Sequence, residues 1–467
     1  MGDSYHAVCD SAYPLVPSIP GCRERRLVMT SPAGQIGSRL DPWMQSYARR
    51  TVGMTTSEIR ALFAVASRPE IVSLAGGMPC LTALPMETIA DTVAHLLRTQ
   101  GLTALQYGSG QGDPTLREQI LEVMSREGIS AHADDVVVTT GSQQALDLVT
   151  RIFIDPGDVV LAESPSYVGA LGVFAAYQAE VAHVASDDDG LIPEALEERI
   201  LDLKAAGKRI KFLYTVPNFH NPAGTTMSQE RRPQVVESCQ RHGILVLEDN
   251  PYGLLGFDRE PYDALRTLSD DGVVYLGTFS KTFAPGLRVG WALAPHAVRE
   301  KLVLASESAI LCPSAFSQMT VSTYLATSDW MAQIKIFREL YRERRDAMTQ
   351  SLEALLPRAS WTHPDGGFYV WLTLPEGLNA KAMLPRAVTE RVAYVPGTAF
   401  FADGTGQRNV RLSFCYPDPD RIREGVRRFA GVVQSELELL ETFGPYDATG
   451  RGSGPSIGVQ SPAPDLS

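Results

Sequence analysis

Short apolar runs alternate with helical patterns through the middle of this 467-residue chain, and this alternation constrains the fold more than any other feature. The helical pattern Ser142–Phe153 places Leu146 and Val149 on one face. The apolar runs are rich in Val, Ile and Leu, as strands buried on both faces are, and they are Val136–Thr139, Val159–Ala162, Glu180–Val184, Lys211–Val216, Ile244–Leu247, Val273–Leu276 and Val289–Leu293. The alternation predicts an α/β fold with a mostly parallel seven-stranded sheet between helices.

The pattern changes after about residue 325. A long amphipathic helix is predicted over 331–356, strands over 368–374, 391–395 and 410–414, and a last helix over 419–440. These elements predict a smaller α+β domain. The predicted division is an irregular or disordered extension (1–40), a segment associated with the small domain (41–84), a large domain (85–325), the small domain (326–443) and a disordered tail (444–467) rich in Gly, Pro and Ser.

Charge and apolar content exclude several classes of protein. The net charge of −12 argues against a nucleic-acid binder, which usually carries a basic face. No apolar run reaches the roughly 18 residues of a membrane span, and the first residues lack the features of a secretory signal. The histidines and cysteines show no metal-ligand spacing. We therefore expect a cytoplasmic protein with no metal site and no membrane or nucleic-acid partner.

The strongest chemical signal is the loop 277–290, which follows a predicted buried strand and contains Lys281. Thr278 and Ser280 supply hydroxyls, and Arg288 supplies a guanidinium that can bond two oxygens, so the loop has the groups that a phosphate requires. A lysine that attacks a carbonyl needs a lowered pKa, which burial and a neighbouring cation both favour. An isolated lysine in such a place would be an ordinary exposed loop residue.

A second anion-binding signal is the turn 140–145, between a predicted strand and a predicted helix. Free backbone N–H groups and the helix dipole attract anions to such a turn. Ser142 and Gln143 are therefore candidate phosphate contacts. A serine at this place is also an ordinary helix N-cap, so the turn alone leaves both interpretations open.

A predicted buried strand ends with two adjacent carboxylates, Glu248 and Asp249. A buried carboxylate needs a partner, and a protonated pyridine nitrogen is one that makes a bound ring an electron sink. Alternation along the strand places the two side chains on opposite sides, so only one can face such a ring. Asp249 is our candidate, with an ordinary turn or N-cap aspartate as the alternative.

Three further residues could contact the ring. Asn221 precedes a proline, which restricts its backbone to extended geometry, and its amide could donate to a phenolic oxygen, as could the hydroxyl of Tyr252. Tyr167 could stack on the ring. The alternatives are a Pro/Gly turn at 221–224 and a packing role for Tyr167.

Together and in this order, these motifs closely resemble the fold-type I pyridoxal 5′-phosphate (PLP)-dependent aminotransferases of class I/II, in the 2-aminoadipate and kynurenine aminotransferase branch. The resemblance runs from about residue 50 to 440. Its pieces are SLAGGMP (73–79), LQYGSGQGDPTLRE (105–118), TTGSQQAL (139–146), ESPSYVGAL (163–171), FLYTVPNFHNPAG (212–224), LEDNPY (247–252), TFSKTFAPGLRVG (278–290), GGFYVWL (366–372), VPGTAFF (395–401) and VRLSF (410–414).

The resemblance implies roles for individual residues. It implies catalytic roles for Lys281, which forms the Schiff base with the cofactor, for Asp249 and for Tyr252. The implied cofactor contacts are Ser142, Gln143, Thr278, Ser280 and Arg288 at the phosphate, Asp249 at the ring nitrogen, Asn221 and Tyr252 at the phenolic oxygen, Tyr167 on the ring face, and Tyr107 at the phosphate of a neighbouring subunit. The implied substrate contacts are Arg411 at the α-carboxylate, Arg60 near the side chain, and Gly77 and Asn221. Tyr107 thus implies a homodimer with shared active sites.

The implied reaction moves the amino group of an L-amino acid to a 2-oxo acid, with 2-oxoglutarate expected, in a ping-pong cycle in which Lys281 is the general base. A PLP-dependent lyase, decarboxylase or cyclase of specialised biosynthesis is an alternative on the same fold. A PLP-sensing regulator fused to a helix-turn-helix is another, but the roughly 45 residues before the core are too few and too irregular for that module.

The substrate stays open at this point. Arg60 suits an acidic side chain such as 2-aminoadipate or glutamate, whereas Phe219, Phe368 and Tyr167 could frame an aromatic or branched one. Phe219 and His220 depart from the branch, in which smaller or amide residues are common beside the ring. Ala223, in place of a usual threonine, and the long N-terminal extension leave the implied chemistry unchanged.

Overall fold

The computed structural model describes residues 43, 46–51 and 68–444. The predicted extension 1–40, the predicted tail beyond Gly444, and Arg60 lie outside the described residues. Before residue 49, the structure describes a turn in which the Ser46 N–H donates to the Trp43 carbonyl at 2.7 Å. None of the helices among the described residues is both long and apolar enough to cross a membrane.

Strands and helices alternate along the described residues. The strands are β1 (Val72–Ser73), β2 (Val136–Thr139), β3 (Val159–Ser164), β4 (Glu180–Asp187), β5 (Gly190–Leu191), β6 (Ile210–Thr215), β7 (Leu245–Asp249), β8 (Val273–Thr278), β9 (Gly290–Leu293), β10 (Ser360–Trp361), β11 (Tyr369–Thr373), β12 (Val392–Ala393), β13 (Val395–Pro396) and β14 (Asn409–Ser413). The helices are α1 (Met86–Ala104), α2 (Pro114–Met124), α3 (Ser142–Phe153), α4 (Val168–Ala176), α5 (Pro193–Ala205), α6 (Arg231–Arg241), α7 (His296–Ile310), α8 (Ala315–Thr327), α9 (Trp330–Leu355), α10 (Ala380–Thr389) and α11 (Pro419–Phe443).

The central sheet has eight strands in the order β2-β9-β8-β7-β6-β3-β4-β5. Strands β4, β3, β6, β7 and β8 pair in parallel, β9 is antiparallel to both neighbours, and the two-residue β5 pairs antiparallel with β4. The α/β fold and its mostly parallel sheet are confirmed. The short β5 is an addition to the seven predicted strands.

Both faces of the sheet are buried because alternate side chains enter different cores. On β3, Val160 packs with Leu146 and Phe174 of α3 and α4 on one face. Its neighbour Leu161 packs with Ile200 of α5 and with residues of α6 on the other face. This two-sided burial explains why the strands are continuous runs of aliphatic residues.

The C-terminal half adds an antiparallel sheet of four strands in the order β10-β11-β14-β13. Phe337 and Tyr341 of α9 pack with Val426 and Phe429 of α11 in one core, which includes Leu372 of β11. Strand β1 pairs in parallel with β12, so a segment near the start of the described chain is hydrogen-bonded into this half. The boundaries between large and small domains stay a prediction.

Pairing of β1 carries the following residues to the edge of the central sheet. The Leu74 N–H donates to the Ala393 carbonyl at 2.8 Å, and the Leu74 carbonyl accepts from the Ser413 N–H at 2.8 Å. These bonds hold Ala75 and Gly77 beside β14 and opposite the loop that follows β8.

Candidate active site

A cavity of about 310 Å³ opens where the parallel strands of the central sheet reach their carboxyl ends. Ligands of open α/β sheets commonly bind at this edge. The predicted site residues that line the cavity are Gly77, Ser142, Gln143, Tyr167, Asn221, Asp249, Tyr252, Thr278, Ser280, Lys281, Arg288 and Arg411. Tyr107 lies outside the cavity and is 78% exposed.

Lys281 follows β8 and reaches across the cavity. Its Nζ donates to the Gly77 carbonyl at 2.9 Å. Desolvation lowers the pKa of its ammonium, and the positive charges of Arg411 and Arg288 lower it further. A lowered pKa gives more of the neutral amine, which is the form that attacks a carbonyl or takes a proton.

The end of β7 separates the two adjacent carboxylates as strand alternation predicts. Asp249 faces the cavity, where its Oδ2 accepts from the Tyr214 hydroxyl at 2.8 Å. Its Oδ1 is buried and has no hydrogen-bond partner among the described residues. Glu248 lies on the opposite face and accepts from the backbone N–H groups of Leu265 and Arg266, each at 3.0 Å.

Burial raises the pKa of Asp249 to about 6, and the hydrogen bond from Tyr214 opposes that rise. Near neutral pH the carboxyl is therefore largely ionised, although it is buried. An ionised carboxylate with one unused oxygen, in a cavity, is suited to a protonated ring nitrogen.

Hydroxyls and a guanidinium converge at one end of the cavity. Arg288 Nη1 donates to Ser280 Oγ at 3.2 Å, and Thr278 Oγ1 donates to the same oxygen at 3.0 Å. Ser142 begins α3, so the positive end of that helix points to the same place. Gly141 has φ of +75°, and a Cβ there would collide with the Arg288 guanidinium. The cluster has the composition of a phosphate site.

Arg411 forms the opposite end. This residue of β14 is buried, and its Nη1 donates to Asn221 Oδ1 at 2.9 Å while its Nη2 donates to the Ala75 carbonyl at 2.7 Å. Its guanidinium lies 4.3 Å from the centre of the Tyr369 ring. Arg411 Nε is buried without a hydrogen-bond partner among the described residues. The side chain is thus held in one orientation and keeps one unused donor.

The sequence analysis missed two tyrosines of the cavity. Tyr214 lies on the same side of the sheet as Asp249, because both follow the strand alternation of β6 and β7. Tyr369 follows Gly366 and Gly367 and contacts the ring of Tyr252 edge to face, with centroids 6.1 Å apart. A tyrosine within an aliphatic strand was the available signal for Tyr214. Tyr369 stands inside the motif GGFYVWL without a local sign of its role.

The residues present fit the PLP that the resemblance implies. The cavity brings together a buried carboxylate oxygen without a partner, a desolvated amine, and a cluster of hydroxyls beside a guanidinium. These are the groups that a pyridine nitrogen, an aldehyde and a phosphate need. Asp249 would hold the ring nitrogen, Lys281 would bind the aldehyde carbon, and Ser280 and Arg288 would hold the phosphate.

Comparisons with known proteins agree with this arrangement. The family model "Aminotransferase class I and II" matches residues 69–429. The chain is 41% identical over 396 residues to the aromatic-amino-acid aminotransferase 1 of Thermococcus litoralis. The aligned region covers 84% of this chain and 95% of that protein.

Solved structures match as well. The kynurenine aminotransferase of Pyrococcus horikoshii superposes with a TM-score of 0.82 at 39% identity, over 86% of this chain and 100% of that one. The α-aminoadipate aminotransferase of Thermus thermophilus, complexed with N-(5′-phosphopyridoxyl)-L-leucine, gives 0.79 at 36% identity, over 85% and 99%. The matches confirm the expected class of enzyme and its PLP cofactor. The chain belongs to the family of class I and II aminotransferases.

Proposed function

We propose that this aminotransferase takes the amino group of an L-amino acid with a large, preferably aromatic, side chain and passes it to 2-oxoglutarate in a ping-pong cycle. The arrangement of Arg411 opposite the Arg288 cluster, with Lys281 between them, carries the proposal. One cation at each end leaves the amine in the middle, where a substrate Cα would lie.

Arg411 orients the substrate in this proposal. Asn221 and the Ala75 carbonyl hold its guanidinium, so an α-carboxylate meets a donor that is already placed. Placement before binding lowers the entropic cost of bringing the Cα–H bond to the reacting geometry. A lysine at position 411 would supply charge without the rigid planar fork.

Lys281 moves the proton. Bound PLP supplies an electron sink for the bond that breaks at the substrate Cα. The lowered pKa of Lys281 leaves more of its amine unprotonated, so that the amine can accept the Cα proton and return a proton at a different atom. Asp249, whose Oδ1 has no hydrogen-bond partner among the described residues, would stabilise a positive charge on the ring nitrogen of bound PLP.

The substrate preference follows from the wall of the cavity. Tyr167, Tyr252 and Tyr369 line it with flat apolar surface, which suits a planar side chain. Two similar proteins are named for substrates with such side chains: an aromatic-amino-acid aminotransferase and a kynurenine aminotransferase. Arg60, the residue expected near an acidic side chain, lies outside the described residues, and its role stays a prediction.

A substrate panel tests the proposal. Purified enzyme with PLP is mixed with each of twenty amino acids, and the change in cofactor absorbance is followed by stopped flow. We expect phenylalanine, tyrosine and kynurenine to react with the highest kcat/KM, and product to accumulate over many turnovers when 2-oxoglutarate is present. Preference for 2-aminoadipate or glutamate would refute the aromatic assignment. Product that accumulates over many turnovers without any oxo acid would indicate a lyase or decarboxylase.

The Lys281→Ala variant is the control for the chemistry. It should lose both turnover and the absorbance of the lysine-bound cofactor, while Lys301→Ala, an exposed lysine of α7, should keep both. Normal turnover in Lys281→Ala would show that another residue moves the proton.

A homodimer with shared sites is part of the same proposal. Tyr107 and the nearby Leu102 and Leu105 are 78%, 94% and 73% exposed, which is unusual for large apolar side chains. Mixed dimers of Lys281→Ala and Tyr107→Phe chains test the sharing. If Tyr107 acts across the interface, the mixed dimer contains one intact site with the cofactor affinity of the unchanged enzyme. If it acts within its own subunit, no intact site forms.

A further inference from the structure

His220, one of the residues that depart from the family branch, is buried beside the cavity. Its backbone groups and Nδ1 are hydrogen-bonded, whereas its Nε2 has no hydrogen-bond partner among the described residues. Its backbone N–H donates to the Thr225 carbonyl at 2.8 Å, and its carbonyl accepts from the Gly224 N–H at 2.6 Å. Its Nδ1 accepts from the Ala223 N–H at 3.3 Å. The residue is therefore fixed within the turn that continues from Asn221.

The second ring nitrogen faces a buried carboxylate. His220 Nε2 lies 3.0 Å from Oε2 of Glu163, at the end of β3. Glu163 also accepts from the Thr215 hydroxyl at 3.0 Å and from the Val216 N–H at 2.9 Å. Since Nδ1 serves as an acceptor, the proton of the neutral imidazole sits on Nε2, the nitrogen nearest the carboxylate. The Ala223 N–H thus selects the tautomer, and the Glu163 carboxylate lies at ion-pair distance from the ring nitrogen that carries the proton.

We propose that Glu163 and His220 form a positioning pair that sets the affinity of the site for the substrate carboxylate. The pair reaches the substrate through the next residue, because Asn221 Oδ1 accepts from Arg411 Nη1 at 2.9 Å. Glu163 lies against the imidazole ring, and the ring Nδ1 is hydrogen-bonded to Ala223 in the turn. The same turn holds Asn221 against the Arg411 guanidinium. This inference rests on the proposed role of Arg411 as the carboxylate ligand.

The pair acts mainly on the carboxylate end of the site. The phosphate end is held by Arg288, Ser280 and Thr278, which are bonded to each other and not to the turn of His220. A change in the pair should therefore weaken carboxylate binding by a larger factor than cofactor binding. A pair that merely stabilised the fold would lower the melting temperature without this selectivity.

Two substitutions separate the two contacts of the ring. The amide of His220→Asn can replace Nδ1 and keep the Ala223 N–H, but it is too short to reach Glu163. The longer His220→Gln can place an amide N–H near Glu163. We expect His220→Asn to weaken binding by about threefold to tenfold, as the loss of one buried polar contact does, and His220→Gln to restore most of it. Glu163→Gln, of nearly unchanged size, should match His220→Asn and serves as the test if that variant fails to fold.

The measurement is calorimetric titration of the PLP-loaded enzyme with 3-phenylpropionate, a carboxylate that has no amino group and does not react. KM and kcat for the donor amino acid and the dissociation constant of PLP are measured alongside. The matched control is His242→Asn, which removes another histidine–glutamate contact, between His242 Nε2 and Glu197 Oε1 at 2.8 Å, outside the cavity.

The expected result is a raised dissociation constant and KM for His220→Asn and Glu163→Gln, with kcat unchanged, a smaller change in PLP affinity, and His242→Asn like the parent. Unchanged 3-phenylpropionate binding in both variants would overturn the positioning role. An Arg411→Lys variant separates this failure from failure of the proposed function. If it binds the carboxylate as tightly as the parent, Arg411 is not the clamp.

Discussion

The hydrogen bond from Tyr214 to Asp249 allows a quantitative test of how the site keeps a buried carboxyl ionised. The Tyr214→Phe substitution removes the hydroxyl 2.8 Å from Asp249 Oδ2 and leaves the ring in place. Burial already raises the pKa of Asp249 to about 6, and Tyr214 is the first influence that opposes this rise. The variant should therefore have a still higher Asp249 pKa.

The size of the change follows from the charged acceptor. A hydrogen bond to a charged group contributes about 1.5–3 kcal/mol, and one pKa unit corresponds to about 1.4 kcal/mol. Loss of the bond should move the pKa of Asp249 upward by about one to two units. At pH 7 roughly nine-tenths of the parent carboxyl is ionised, whereas about half or less would be ionised in the variant.

The assay is binding of pyridoxamine 5′-phosphate to the apoenzyme between pH 5.5 and 8.5. This form of the cofactor has no aldehyde, so Lys281 does not bond to it, and its own titration is common to both proteins. A carboxyl is ionised above its pKa, so affinity falls as pH drops through that value. The midpoint should lie about one unit higher in Tyr214→Phe than in the parent.

A matched control is Tyr177→Phe, which removes a hydroxyl that donates to Asp147 Oδ2 at 3.2 Å, away from the cavity. Its binding profile should coincide with that of the parent. An unchanged or lower midpoint in Tyr214→Phe would show that Tyr214 does not control the ionisation of Asp249.

Three further predictions concern other parts of the structure. Burial raises the pKa of Glu127 to about 7, so the folded state binds the proton more tightly than the unfolded state, and the free energy of unfolding should fall as pH rises from about 4.5 to 7. Glu127→Gln should remove part of that fall, on the order of 3 kcal/mol, measured by urea denaturation at pH 5 and 7.5, and an unchanged dependence would contradict the assignment. Gly77→Ala should raise the KM of the donor about tenfold or more, since the new Cβ would collide with the Tyr369 hydroxyl, and an unchanged KM would show that this contact is not near the substrate. Arg288→Lys should weaken PLP binding about tenfold in equilibrium dialysis because ammonium lacks the planar fork, and equal affinity would remove Arg288 from the phosphate site.

Strand positions were predictable because their residues are dictated by burial on both faces. The predicted runs at 136–139 and 273–276 coincide with β2 and with most of β8. Two-residue strands such as β1, β5 and β12 have no such signature, since so short a segment shows no periodicity. They form because tertiary neighbours offer them backbone partners.

In the candidate site, too, some residues were predictable from local sequence and others depend on distant neighbours. Side chains that follow strand ends, such as Lys281 and Asp249, were predictable because parallel strands bring their ends to one edge. Tyr214 was missed because its role depends on a partner on the neighbouring strand, 35 residues further along the chain. The contact of His220 with Glu163 was likewise invisible, although the unusual histidine had marked the turn as different.

The segment that holds Ala75 and Gly77 lies between Lys281, which donates to the Gly77 carbonyl, and Arg411, which donates to the Ala75 carbonyl. During synthesis on the ribosome, the strands of the central sheet and the phosphate cluster all leave the exit tunnel before residue 411 is made. The residues of the proposed phosphate site therefore exist in the growing chain earlier than the proposed carboxylate ligand, Arg411. In the proposed function, the substrate site is complete only when β14 has paired with the segment that follows β1, so a truncated chain that lacks β14 should not bind the substrate carboxylate.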